Sequence, residues 1–144
     1  KIKIQFWYPA ESTDGYEKAK ILYRIATSFK KKGSYGPARN YFRKALSANP
    51  SMGRCNLAIA SMYASSANSC GTDTFSKRAV YWLAAQEAAK AGRVDPNLSS
   101  SAAKSVASYN AKAPTKADIF SKGNSGETIN IGCWIGGSVK VPTL

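Results

Sequence analysis

Small and large apolar residues recur between positions 19 and 50 at helical steps. Ala19, Leu22, Ile25, Ala26 and Phe29 stand three and four apart, which predicts a helix over residues 16–32 with one apolar stripe. Ala38, Phe42 and Ala45 mark one face of a second helix over residues 35–48. The alanines let the two helices approach closely, and Phe42 fills the gap that remains. Gly33 ends the first helix as a left-handed cap. Lys30, Lys31 and Lys32 occupy its last turn, where cations favour the dipole. Asn49-Pro50 closes the second helix, because proline disfavours helix at the residue before it. Upstream, residues 9–15 read as a loop, with Asp14 and Glu17 spaced as a capping box.

The pattern then echoes itself 34 residues on. Ile25-Ala26 becomes Ile59-Ala60 and Phe29 becomes Tyr63, predicting a third helix over residues 52–67. A long loop, residues 68–74, separates it from a fourth helix over 75–91 that carries Ala79 and Leu83, with Gly92 as its cap. Asp95-Pro96 opens a fifth helix to about residue 111, with Leu98, Ala102, Val106 and Tyr109 as its stripe. Thr115 with Asp118 caps a last short turn carrying Ile119 and Phe120. The tail changes period. Residues 128–135 alternate, Gly136-Gly137 signals a turn, and residues 138–141 alternate again, predicting a β-hairpin. An isolated hairpin is marginal in water, so it is expected to cap the helices. Residues 1–8 also alternate and read either as a third strand or as a frayed terminus.

The chain has 144 residues, 44% of them hydrophobic, enough for one core. It starts at Lys1 and not Met, as expected of a mature chain or of a piece of a longer one, and any signal peptide would lie upstream. No apolar run is long enough to span a bilayer. The net charge is +13, concentrated early: residues 1–54 carry 12 basic and 3 acidic groups. Such a half signals an anionic partner, a solvated surface, or complementarity to a missing segment. There is no histidine, which excludes a Ser–His–Asp triad, a Cys–His pair and any His-ligated metal. No metal or other cofactor is expected. Cys55, Cys70 and Cys133 lack C-x-x-C spacing. A helix over 52–67 holds Cys55 about 20 Å from Cys70, too far to bridge, whereas Cys70–Cys133 pairing stays open.

Residues 19–52 resemble one complete tetratricopeptide repeat (TPR), with Leu22 where the family often has Trp and Ala26 where it often has Gly. Residues 53–96 resemble a second repeat with an enlarged loop, and residues 97–122 the remains of a third. Tyr63-Ala64-Ser65-Ser66-Ala67-Asn68-Ser69-Cys70-Gly71, Arg78-Ala79-Val80-Tyr81-Trp82-Leu83 and Gly132-Cys133-Trp134-Ile135-Gly136 look like a group of bacterial, Bacteroides-type cell-envelope repeat proteins. The resemblance implies a mainly α fold, a TPR-like superhelical repeat of five to six helices with a C-terminal β-hairpin. Its parts are a strand or linker over 1–15, helices over 16–122 and a hairpin cap over 123–144. It also implies secretion or the periplasm.

In that family the first helix of each repeat lines a concave groove, which places Lys20, Tyr23, Arg24, Thr27 and Lys30 on a ligand-binding face. Lys20 and Arg24 match the Lys-x-x-x-Arg element of a carboxylate clamp, but Leu57, Ala58 and Ser61 stand where its polar partners belong. Like charges four apart on a helix repel, so compensation is expected. The repeat-packing set is Leu22, Ile25, Ala26, Phe29, Ala38, Phe42, Ala45, Pro50, Ile59, Ala60, Tyr63, Ala79 and Leu83.

Trp7, Tyr8, Tyr81, Trp82 and Trp134 are candidates for an aromatic platform or for core. Ser28-x-x-Lys31 and Ser101-x-x-Lys104 match S-x-x-K without the accompanying S-D-N and K-T-G elements. The expected function is non-catalytic protein or peptide binding by a cell-envelope scaffold. A binder of an anionic polymer or glycan through a basic concave face, or a purely structural module, are the alternatives. Nucleic acid is not an expected partner.

Overall fold

A computed structural model describes residues 11–144, with side chains from Gly15 onward. The strand reading of residues 1–8, and with it Trp7 and Tyr8, lies outside the described residues. The chain is mainly helical. It carries α1 (Glu11–Lys31), α2 (Tyr35–Ala48), α3 (Gly53–Ser65), α4 (Ala67–Cys70), α5 (Thr74–Val94), α6 (Ser99–Lys112) and α7 (Lys116–Lys122). Strands β1 (Thr128–Ile131) and β2 (Gly137–Lys140) form an antiparallel pair, with Ile129 opposite Val139. α1 packs on α2, α2 on α3, α3 on α5 and α5 on α6, and the hairpin lies against α5.

The alanine spacing does what it promised. Ala19, Ala26, Ala38, Phe42 and Ala45 are fully buried, as are Ile59, Ala60 and Ala79, and Tyr63 is nearly so. Gly33 has φ +80, and the amide of Ser34 donates to the Phe29 carbonyl, closing α1 as a Schellman turn. Thr115 and Asp118 form the predicted capping box on α7. Asp95 caps a single 3₁₀ turn over Pro96–Leu98, after which α6 begins.

Several expectations need correction. α1 starts at Glu11, so the loop over 9–15 is helical from there and Asp14 is not a cap. Gly15 is a close-approach residue instead: a Cβ there would lie 2.8 Å from the Ala48 carbonyl oxygen. Ile25 does not pack; it stands at the edge of the stripe and is 36% exposed, while Leu22 and Phe29 are only half-buried. Pro50 is exposed in the α2–α3 turn. The long loop contains the single turn α4. Leu83 is half-buried against the core and close to Gly137, while Val80, Ala84, Glu87, Ala88 and Ala91 are among the fully inward positions of α5. Gly92 lies inside α5, where α6 approaches it closely through Ala102. Phe120 is 78% exposed, whereas Ile119 is buried.

The hairpin strands are shorter than predicted, and residues 132–136 form a loop. Cys133 takes φ +56 and is bonded to Cys70, with Cα atoms 5.2 Å apart. The Arg39 guanidinium on α2 donates to the carbonyls of Ile135 (2.8 Å) and Trp134 (3.0 Å) and lies over the Trp134 ring. These ties take the loop's carbonyls out of strand pairing. The Trp134 indole donates to the Ser66 hydroxyl at 2.8 Å. Cys55 remains a free, buried thiol, and burial pushes its pKa up to about 12.

Replacing Gly15 with alanine forces α1 and α2 apart. It is expected to cost about 1–3 kcal/mol, read as a lowered Tm. An unchanged Tm would mean the α1–α2 contact yields without cost.

Candidate functional site

A recess of about 440 Å³ opens between the first turns of α1, the α2–α3 turn and the start of α3. Its walls include Tyr16, Glu17, Lys20, Asn49, Arg54 and Asp95. Helical spacing puts Tyr16 and Lys20 one turn apart on α1. The Asn49 side chain accepts from the Ser51 amide at 3.1 Å, which shapes the turn that forms the floor. The Arg54 guanidinium lies 4.4 Å from the centre of the Tyr23 ring, joining α3 to α1 across the groove. Lys20 pairs with Glu17 at 3.5 Å, both more than half exposed. That pair supplies the charge compensation expected for Lys20 beside Arg24, and an exposed pair contributes little stability.

A second, smaller recess of about 330 Å³ lies further along α1, lined by Tyr23, Arg24, Thr27, Ser28 and Lys31. The Thr27 hydroxyl donates to the Tyr23 carbonyl at 2.9 Å, so it is occupied within the helix. The five predicted groove residues therefore separate. Lys20 lines the first recess, and Tyr23, Arg24 and Thr27 line the second. Lys30 is half-buried and lines neither of the two. Arg54 was missed, although the 34-residue echo brings Lys20 directly onto it.

Among the described residues, Tyr81, Trp82 and Trp134 do not assemble into one platform. Trp134 packs on Tyr35 and Tyr63, Trp82 on Phe75, and Tyr81 on Tyr109. The serines and lysines of both S-x-x-K matches are exposed on helix surfaces. Among the described residues, no three metal-ligating side chains come together, and no helix is long and apolar enough to cross a membrane.

The strongest electrostatic feature was not foreseen. Glu87 on α5 is 4% exposed. Arg43 of α2 donates to both its oxygens at 3.0 Å, Asn56 of α3 donates at 2.8 Å, and Lys90 stands 3.6 Å away. Burial alone raises the carboxyl pKa. The hydrogen bonds from Arg43 and Asn56, with the Arg43 and Lys90 charges, outweigh it and hold Glu87 below the ordinary carboxylate range. Held ionised and engaged at both oxygens, it is a tie between three helices rather than a proton donor. Comparison with family models, with curated proteins and with solved structures finds no match.

Because its folded pKa is lowered, Glu87 adds stability at pH values above the unfolded carboxylate pKa of about 4.3. That contribution is lost as pH falls through the folded value. Arg43→Met leaves a buried charge without its main partner and is expected to destabilise by about 3 kcal/mol at neutral pH. Thermal melts from pH 7 to pH 3 should show the gap to wild type narrowing on the acid side. A gap independent of pH would mean the tie is not electrostatic.

Proposed function

We propose that this chain is a non-catalytic, TPR-like scaffold that holds a peptide segment of a partner protein in the recess between α1 and α3. The carrying observation is that Lys20 and Arg54, at equivalent positions 34 residues apart, line the same recess. Cationic donors from successive hairpins suit a carboxylate or a run of peptide carbonyls. Tyr16, 54% exposed on the wall, offers a ring for an apolar side chain. Glu17 and Asp95 on the same walls favour a peptide of mixed polarity over a uniform polyanion. The non-catalytic reading is supported by Glu87, a desolvated carboxylate fully occupied in helix ties. The Cys70–Cys133 bond supports an oxidising compartment, in keeping with the resemblance to secreted cell-envelope proteins.

Selection from a displayed random-peptide library against the full chain tests this. Enriched peptides are expected to lose about tenfold in affinity or more on Lys20→Glu/Arg54→Glu, and to weaken as salt rises. Failure to enrich any peptide, or equal binding by the double variant, would remove the recess as the binding site.

A further inference from the structure

The side of α1 turned away from the recess carries an uncovered apolar strip. Ile21 is 54% and Ile25 36% exposed, one turn apart. Lys18 and Phe29 extend the same stripe at steps of three and four, for a length of about 17 Å, and Lys32 follows in the turn after α1. Phe29 stacks on Tyr41 of α2, ring centres 5.5 Å apart at 11°. Lys32 lies 6.0 Å from the Phe29 ring centre and Lys44 4.8 Å from that of Tyr41. Two rings thus lie along the α1–α2 seam with a lysine at each end.

The chain itself shows what covers such a strip. Thirty-four residues on, positions 18, 21, 25, 29 and 32 become Met52, Cys55, Ile59, Tyr63 and Ser66. All five are buried, Cys55, Ile59 and Tyr63 on α3 and Met52 and Ser66 at its two ends. α2 packs against α3, its Arg39 bonded to the Tyr63 hydroxyl, and Trp134 closes over the same ring. The cover of this face on α3 is a helix plus one loop; on α1 nothing among the described residues covers the same face.

Charge selects the occupant. Residues 18–72 contain ten basic side chains and no acidic one. Arg43 is taken by Glu87 and Arg39 by loop carbonyls, while Lys32 and Lys44 are in no ion pair among the described residues. We propose that the outer face of α1–α2 docks an acidic amphipathic helix of a partner protein, seated on α1 as α2 is seated on α3. The two rings are stacked on each other and half-buried in a seam, which suits a helix seat better than a wedge for insertion into lipid. This face is separate from the α1–α3 recess, so the two proposals fail independently.

The probe is a fluorescent 18-residue helical peptide with a leucine stripe flanked by glutamates, titrated against the full chain and read by anisotropy. Saturable binding is expected. It should weaken about tenfold or more with Ile25→Asp, and likewise with Lys32→Glu/Lys44→Glu, each variant keeping the wild-type circular dichroism. Lys20→Glu/Arg54→Glu should leave it unchanged. Four results would each overturn the proposal. These are no binding, equal binding of a peptide with lysines in place of the glutamates, self-association lost with Ile25→Asp, or adsorption to phosphatidylglycerol vesicles lost with Ile25→Asp while the peptide stays unbound.

Discussion

The carboxylate of Glu87 has to be paired, because an ionised group 4% exposed is too costly to leave alone. Its partners come from three directions: Arg43 on α2, Asn56 on α3 and Lys90 on its own helix. Apolar seams built from alanine give close contact, but methyl groups tolerate sliding. A two-pronged guanidinium–carboxylate contact does not, since both hydrogen bonds fail together when the helices shift. The alanines set how near the helices lie; Glu87 sets their register. The recess depends on that register, because one wall belongs to α1 and the opposite wall to the start of α3.

A second set of ties fixes the tail to the same helix. Arg39 stands one turn before Arg43 on α2, and it holds two carbonyls of loop 132–136 and the face of Trp134. The Cys70–Cys133 bond holds that loop to α4. α2 therefore sends one arginine into the helix stack and the next into the hairpin. The basic excess of the first half is not all free surface: two of its arginines are structural.

Legibility in the sequence follows a physical division. Features with a local cause were readable, such as α2 with its Ala38–Phe42–Ala45 face, the Gly33 cap and the Thr115–Asp118 box. Features whose cause is distant were not. Glu87 sits among alanines, and its two hydrogen-bond partners are 44 and 31 positions away. On α5 the inward face also takes in Val80 and Ala84, beside the expected Ala79, while Leu83 packs at its edge. Gly15 read as a loop glycine because its reason for being glycine is the carbonyl of Ala48. Within the candidate site, Lys20 came from the resemblance to tetratricopeptide repeats, which puts the first helix on the groove. Arg54 stands at the same position 34 residues on.

The two ends of the helical stack are finished differently. At one end α6 turns Ser100, Ser101, Lys104 and Ser108 to solvent, a polar outer face of the kind that terminates a stack. At the other end α1 turns out Ile21 and Ile25. Scattered surface apolar residues need no explanation, but these two fall at offsets where the next hairpin buries Cys55 and Ile59 completely. A stack that ends in a polar face at one side and a stacking face at the other has a direction. Lys32 and Lys44, in no ion pair among the described residues, lie at this end, so the helix proposed to dock there covers apolar surface and brings carboxylates. A solvated surface accounts for the lysines but not for the isoleucines between them, and a lost core contact accounts for the isoleucines but not for the lysines; a charged helical neighbour accounts for both.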